Sequence, residues 1–133
     1  MENINIVLVD SEITITQLLE KIILSHIDLK GKFNEDSIKS FLNGGEAFKS
    51  FNNGYKPNIL VTDIKMNGIS GSELAMRSLI LYPDLQVVGM SGYEISSLGK
   101  AGEYFTKNNF PLLQKPFEIE EVKTLFEKFY NEL

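Results

Sequence analysis

Apolar positions along the chain follow two alternating patterns. Short runs rich in β-branched residues occupy Ile4–Val9, Ile59–Thr62 and Leu85–Met90, with weaker runs at Ser37–Leu42 and Leu112–Gln114. They do not alternate strictly with polar residues, which predicts strands covered on both faces, as in a parallel sheet. Between them, apolar residues recur at helical spacing. Ile15, Leu18, Leu19, Ile22 and Ile23 predict a first helix with Ser11 as its N-cap. A short helix over Glu46–Phe51 follows the turn Asn43-Gly44-Gly45. Ser70 and Glu73 read as a capping box opening a helix that carries Leu74, Ala75, Ser78, Leu79 and Leu81, stopped by Tyr82-Pro83-Asp84. In the last helix, Glu118, Glu120 and Glu121 crowd the first turn, where the dipole favours acids. Val122, Leu125, Phe126 and Phe129 form its apolar stripe. Gly92–Asn109, with Gly92, Gly99, Gly102, Ser96 and Ser97, predicts at most a weak or short helix. His26–Asp36 reads as a long polar connection.

The order β-α-β-α-β-α-β-α-β predicts right-handed crossovers and a doubly wound five-stranded α/β sheet. In such sheets the functional crevice lies at the carboxyl ends of the strands. At 133 residues the chain suits one domain, residues 1–133. Its net charge of −5, with 13 scattered basic residues, argues against a nucleic-acid surface. The absence of cysteine excludes disulfides and thiolate metal sites and fits a reducing cytoplasm. No apolar run approaches the ~20 residues of a membrane span, and Glu2 without a basic segment argues against a signal peptide.

The residues that follow the apolar runs carry the chemistry. Asp10, Ser11 and Glu12 follow the first, Asp63 the third, Ser91 the fourth and Lys115 the fifth. In a parallel sheet these side chains meet at one edge, where two carboxylates, a hydroxyl and an ammonium suit a divalent cation and a phosphoryl group. A carboxylate can itself be the nucleophile, forming an aspartyl phosphate. Singly, each has a plainer explanation: the acids as turn formers or caps, Ser91 before Gly92 as a turn residue, Lys115-Pro116 as a solvated loop. The joint pattern at successive strand ends outweighs them.

The segments IVLVDSE, ILVTDIKMNGISG, VVGMSGYE and LLQKPF, in that order, resemble the receiver domain of bacterial two-component response regulators, from about Ile4 to Phe129. The wording of the last two is nearest to receivers of hybrid sensor kinases. The resemblance implies a flavodoxin-like (βα)5 fold with strand order 2-1-3-4-5. It implies that Asp63 is phosphorylated by a histidine kinase or phosphotransfer protein. Asp10 matches the first of the acidic pair that organises Mg2+, and the Lys65 backbone carbonyl a further metal ligand. Ser91 and Lys115 match the groups that contact the phosphoryl oxygens, and a cis bond joins Lys115 to Pro116. Lys65 and Tyr93 occupy positions that tune dephosphorylation.

The chain departs from the family pattern in four ways. Ser11 replaces the second acid, so Mg2+ should be held less tightly; Glu12 next to it is a candidate for compensation, although the family often carries an acid there in any case. Leu112 replaces the aromatic switch, Asn67 replaces a common proline, and the interval from Asp10 to Asp63 is longer than usual. Three functions follow. The first is a receiver that is no enzyme beyond its own phosphorylation and dephosphorylation. Without an output domain after the fifth helix, it would signal to a protein partner through the 92–131 face. The second is an interaction module whose metal site is impaired at Ser11. The third is a haloacid-dehalogenase-like phosphatase using Asp10 and Glu12, faintly echoed in Asp10-Ser-Glu-Ile-Thr14. His26, the single histidine, reads as a surface residue near the end of the first helix.

Overall fold

The computed structural model describes residues 4–26 and 33–132. Five parallel strands, β1 (Ile6–Val9), β2 (Ile38–Phe41), β3 (Ile59–Asp63), β4 (Gln86–Ser91) and β5 (Leu112–Gln114), lie in the order β2-β1-β3-β4-β5. Between and after them run α1 (Ile13–Ser25), α2 (Gly44–Asn52), α3 (Gly71–Leu81), α4 (Gly99–Lys107) and α5 (Ile119–Glu132). This is the doubly wound order expected from the resemblance.

The unbroken apolar runs have a simple explanation in the two faces of the sheet. Ile6, Leu8, Ile59 and Val61 face one core, shared with Leu19, Ile22 and Ile23 of α1 and Val122, Phe126 and Phe129 of α5. Val7, Val9 and Leu60 face the other, shared with Ala47 and Phe51 of α2, Leu74 and Ala75 of α3 and Phe105 of α4. Every second side chain changes core, so every position must be apolar. Phe33, within the first connection, is buried and meets Phe126 and Tyr130 edge-on at 5.9 and 5.8 Å. That connection, expected over His26–Asp36, lies in part outside the described residues; His26, half-buried, caps the end of α1.

Several helix readings need correction. Ser11 does not cap α1: the N-cap position is Glu12, whose side chain makes no capping bond. The Asp10 carboxylate accepts the Glu12 N–H instead, at 2.9 Å. Of the apolar residues at helical spacing, Leu18 and Leu81 are exposed, whereas Thr16 is buried with its hydroxyl donating to the Ile13 carbonyl at 2.9 Å. The turn expected at Asn43-Gly44-Gly45 is the start of α2, because Asn43 caps it by accepting the Glu46 N–H at 2.8 Å. Ser70 accepts the Glu73 N–H as expected, but the Glu73 carboxylate pairs with Arg77 at 3.3 Å.

The helix of 92–109 is short, as expected, and its glycines also have a packing role. A short 3-10 turn at Ile95–Leu98 runs into α4, and a Cβ on Gly102 would stand 2.6 Å from the Ile95 carbonyl oxygen. Glycine is what lets the turn pack on the helix. In β4, Gly89 leaves the hollow filled by the Phe105 ring, which a Cβ there would approach to 2.7 Å. Phe105 in turn packs edge-on against Tyr104 and Phe110.

Candidate functional site

The parallel register brings Asp10, Asp63, Ser91 and Lys115 to one edge of the sheet. Asp10 directly follows β1 and is completely buried. Asp63 ends β3 with a side chain 13% exposed, and Ser91 ends β4, buried. Lys115 follows β5, its N–H bound to the Ser91 carbonyl at 2.7 Å, and the Lys115–Pro116 bond is cis.

The lysine ammonium lies between the two acids, 2.8 Å from Asp10 Oδ2 and 3.4 Å from Asp63 Oδ1. Both oxygens of Asp10 are engaged, one by Lys115 and one by the Glu12 N–H. A buried carboxylate with a cation and a backbone donor is tolerable where an unpaired one is not. Asp63 shares the cation at longer range. Burial therefore dominates its titration: the carboxyl is pushed up to about 6, with Lys115 pulling it down and Asp10 adding to the rise. For Lys115, burial alone would lower the basicity. The hydrogen bond to Asp10 and the charges of Asp63 and Asp10 outweigh it and hold the ammonium above its usual range.

Asp63 is the acid that opens to solvent. It lines a cleft of about 560 Å³ with Ser11, Glu12, Lys65, Asn67, Tyr93 and Lys115. Helix α3 is set close behind it. The Gly71 N–H donates to the Ile64 carbonyl at 2.9 Å, and a Cβ on Gly71 would fall 2.2 Å from the Asp63 carbonyl oxygen. No residue but glycine fits there.

Not every expected group points into the cleft. The Ser91 hydroxyl turns to the backbone of Tyr93, donating to its carbonyl at 2.8 Å and accepting its N–H at 2.9 Å. The exposed Tyr93 ring carries the Lys65 ammonium 4.8 Å from its centroid, a cation–π contact at the cleft mouth. Spacing alone could not reveal that pairing, because the two residues come from loops after different strands. Leu112, standing opposite Gly89 in the sheet register, is half-buried.

Magnesium needs only one or two carboxylates if phosphate oxygens and waters complete its shell. Asp10 and Asp63 meet that minimum, since each carboxylate oxygen accepts more than one contact. Ser11 and Glu12 are exposed, and among the described residues no cluster of three or more acids, histidines or cysteines stands ready for a metal. The donor set fits Mg2+, but sparsely.

No protein-family model matches the chain. Over 128 residues it is 28% identical to the DNA-binding transcriptional regulator NtrC of Proteus hauseri, an alignment covering 96% of this chain and 25% of that protein. The chain thus spans about a quarter of the length of that relative. With sporulation initiation phosphotransferase F of Bacillus subtilis (strain 168) it shares 25% identity over 132 residues, 97% of this chain and 95% of the relative. Among solved structures it superposes on a two-component transcriptional regulator AraC from Clostridium phytofermentans ISDg with a TM-score of 0.74 at 25% identity, covering 96% and 92% of the two chains. A response regulator receiver domain protein from Clostridium thermocellum gives a TM-score of 0.74 at 20% identity, over 97% and 95%.

Proposed function

The chain belongs to the receiver domains of two-component response regulators, and on that premise we propose that Asp63 accepts a phosphoryl group from a histidine kinase or phosphotransfer protein. The observation that carries this reading is the position of Asp63, the acid of the buried pair that lines the cleft, beside Lys115. In the transfer, a carboxylate oxygen attacks phosphorus while the bond from phosphorus to the donor nitrogen or oxygen breaks. The donor leaves and Asp63 becomes an acyl phosphate.

Each neighbour has a part in that step. Lys115 stabilises the negative charge of the phosphoryl oxygens. Asp10 holds Lys115 in place and, with Asp63 and the Lys65 backbone carbonyl, would bind Mg2+; exposed Glu12 offers a further oxygen. Magnesium, when bound, neutralises charge on the transferring group. Ser91 reaches the phosphoryl group only by giving up its two bonds to Tyr93, which ties arrival of the phosphate to the loop that leads into α4. Lys65 and Tyr93, stacked at the mouth, screen the acyl phosphate from water, so Tyr93→Ala speeds phosphate loss.

Residues 1–133 form one such domain, acting in the cytoplasm and performing no chemistry beyond gaining and losing its own phosphate. Its output is a protein partner on the 92–131 face. Support for that face comes from a shallow apolar groove between β5 and α5 lined by Pro111, Leu112, Leu113 and Leu125. Among the described residues no helix is long and apolar enough to cross a membrane.

The test is direct. With Mg2+ and a small acyl-phosphate donor, the intact wild-type mass rises by one phosphate and that of Asp63→Asn does not. Without metal the Asp63 carboxyl sits near 6, and bound Mg2+ favours its charged form, so modification slows as pH drops, from a pH that rising Mg2+ lowers, because the protonated acid is no nucleophile. An unmodified wild type at saturating Mg2+ overturns the reading and favours the interaction module. One observation favours that alternative: Lys115 and the Glu12 N–H already engage both oxygens of Asp10. The phosphatase reading finds no support, since its nucleophile Asp10 is fully buried.

A further inference from the structure

Three Asn–Gly pairs occur in the chain, at 43–44, 53–54 and 67–68. In such a pair the glycine nitrogen can attack the asparagine side-chain carbonyl, because the small glycine leaves the approach open. Folded structure prevents this where it holds the amide or occupies the nitrogen. At 43–44 the Asn43 amide oxygen caps α2, and buried Gly44 is packed against Ile69. At 53–54 the Gly54 N–H is donated to the Phe51 carbonyl at 3.1 Å. At 67–68 neither restraint exists. Asn67 and Gly68 are exposed, in the loop between β3 and α3, with no hydrogen bond to any described residue. Gly68 has φ +77° with open space around it.

We propose that Asn67 is a self-modification site, whose deamidation places a new carboxylate on the wall of the Asp63 cleft. The Gly68 nitrogen, on losing its proton, forms a bond to Asn67 Cγ, and the amide nitrogen departs as ammonia. Water then opens the resulting succinimide at one carbonyl or the other, giving aspartate or isoaspartate with no redox change. Asn67 lines the same cleft as Asp63, Lys65 and Lys115. The modification therefore returns to that cleft a negative charge of the kind Ser11 withholds. The chemistry at Asn67 stands independently; its consequence for cation binding rests on the function proposed above.

The intact 133-residue chain, aged in mildly alkaline buffer at physiological temperature, is digested and mapped by mass spectrometry with fragmentation that separates aspartate from isoaspartate. Residue 67 should convert well ahead of residues 43 and 53, and Asn67→Gln should abolish that signal. Equal or faster conversion at 43 or 53, or an unchanged residue 67, overturns the proposal. A second arm titrates wild type and Asn67→Asp with Mg2+ by calorimetry. A nearby unit charge should tighten binding about two- to fivefold, less in high salt. Equal or undetectable binding in both overturns the cleft consequence but not the modification. Failure of Asp63 to take up phosphate would overturn the proposed function while leaving the mapping result intact.

Discussion

The two ends of the sheet solve the same problem in opposite ways. At the amino ends of the strands, neutral groups close the backbone: Asn5 and Asn58 bind each other through main-chain and amide atoms at 2.8 Å, and the Asn58 carbonyl accepts the Gln86 N–H at 3.0 Å. Among the described residues nothing charged is buried there. At the carboxyl ends, Asp10, Asp63 and Lys115 converge, and the net charge of the trio is negative. A neutral network is satisfied within itself, whereas a charged one leaves a demand that a cation or a phosphoryl group can meet. The sheet thus has a neutral end and a charged end.

Mutations should separate them. Lys115→Met has the largest effect. It leaves Asp10 buried without its cation and should cost about 3–5 kcal/mol, read as a lower urea midpoint. Stability within about 1 kcal/mol of wild type would show that the acids do not depend on the lysine. At the other end, Asn58→Ala strips the Asn5 N–H of its partner and should cost about 1–3 kcal/mol, unaffected by salt or pH.

Smaller, and opposite in sign, is Asp63→Asn. The folded state holds Asp63 near 6, above its ordinary value of 3.8, so between those values the native protein binds the extra proton. Wild-type stability therefore falls as pH rises through that window. Asp63→Asn lacks this loss and should be the more stable protein at neutral pH, by up to about 1 kcal/mol after solvent screening, with the gap closing below about pH 4. A melting temperature below wild type at neutral pH would remove the contrast between the ends. Smallest is Ser11→Asp, which adds a charge at the exposed rim and should tighten Mg2+ binding about two- to fivefold by calorimetry while leaving the melting temperature nearly unchanged.

The strands and α5 were legible because both faces of the sheet are covered, so apolar runs and stripes speak for themselves. The site residues were legible as positions: Asp10, Asp63, Ser91 and Lys115 each close or follow a strand. Their partners were not. The Lys115–Asp10 bond spans 105 residues, the Lys65–Tyr93 stack joins two loops, and Ser91 spends its hydroxyl on a backbone two residues away. Local pattern carries no trace of such pairings. Ser11 misled because a serine near a helix start usually caps it, whereas here the preceding aspartate serves the backbone. The α4 region was legible as a short helix, but the packing role of its glycines was not: Gly102 lets the preceding turn lie directly on the helix.

Gly71 has a consequence beyond its fit. With the Asp63 carbonyl pressed against the spot where a side chain would begin, the start of α3 and the acid share a single mechanical tolerance. A methyl group there would displace the main chain carrying Asp63 without altering one atom of the carboxylates or the lysine. The placement of the aspartate is thus set partly by a residue with no chemistry of its own, whose whole contribution is a vacant volume.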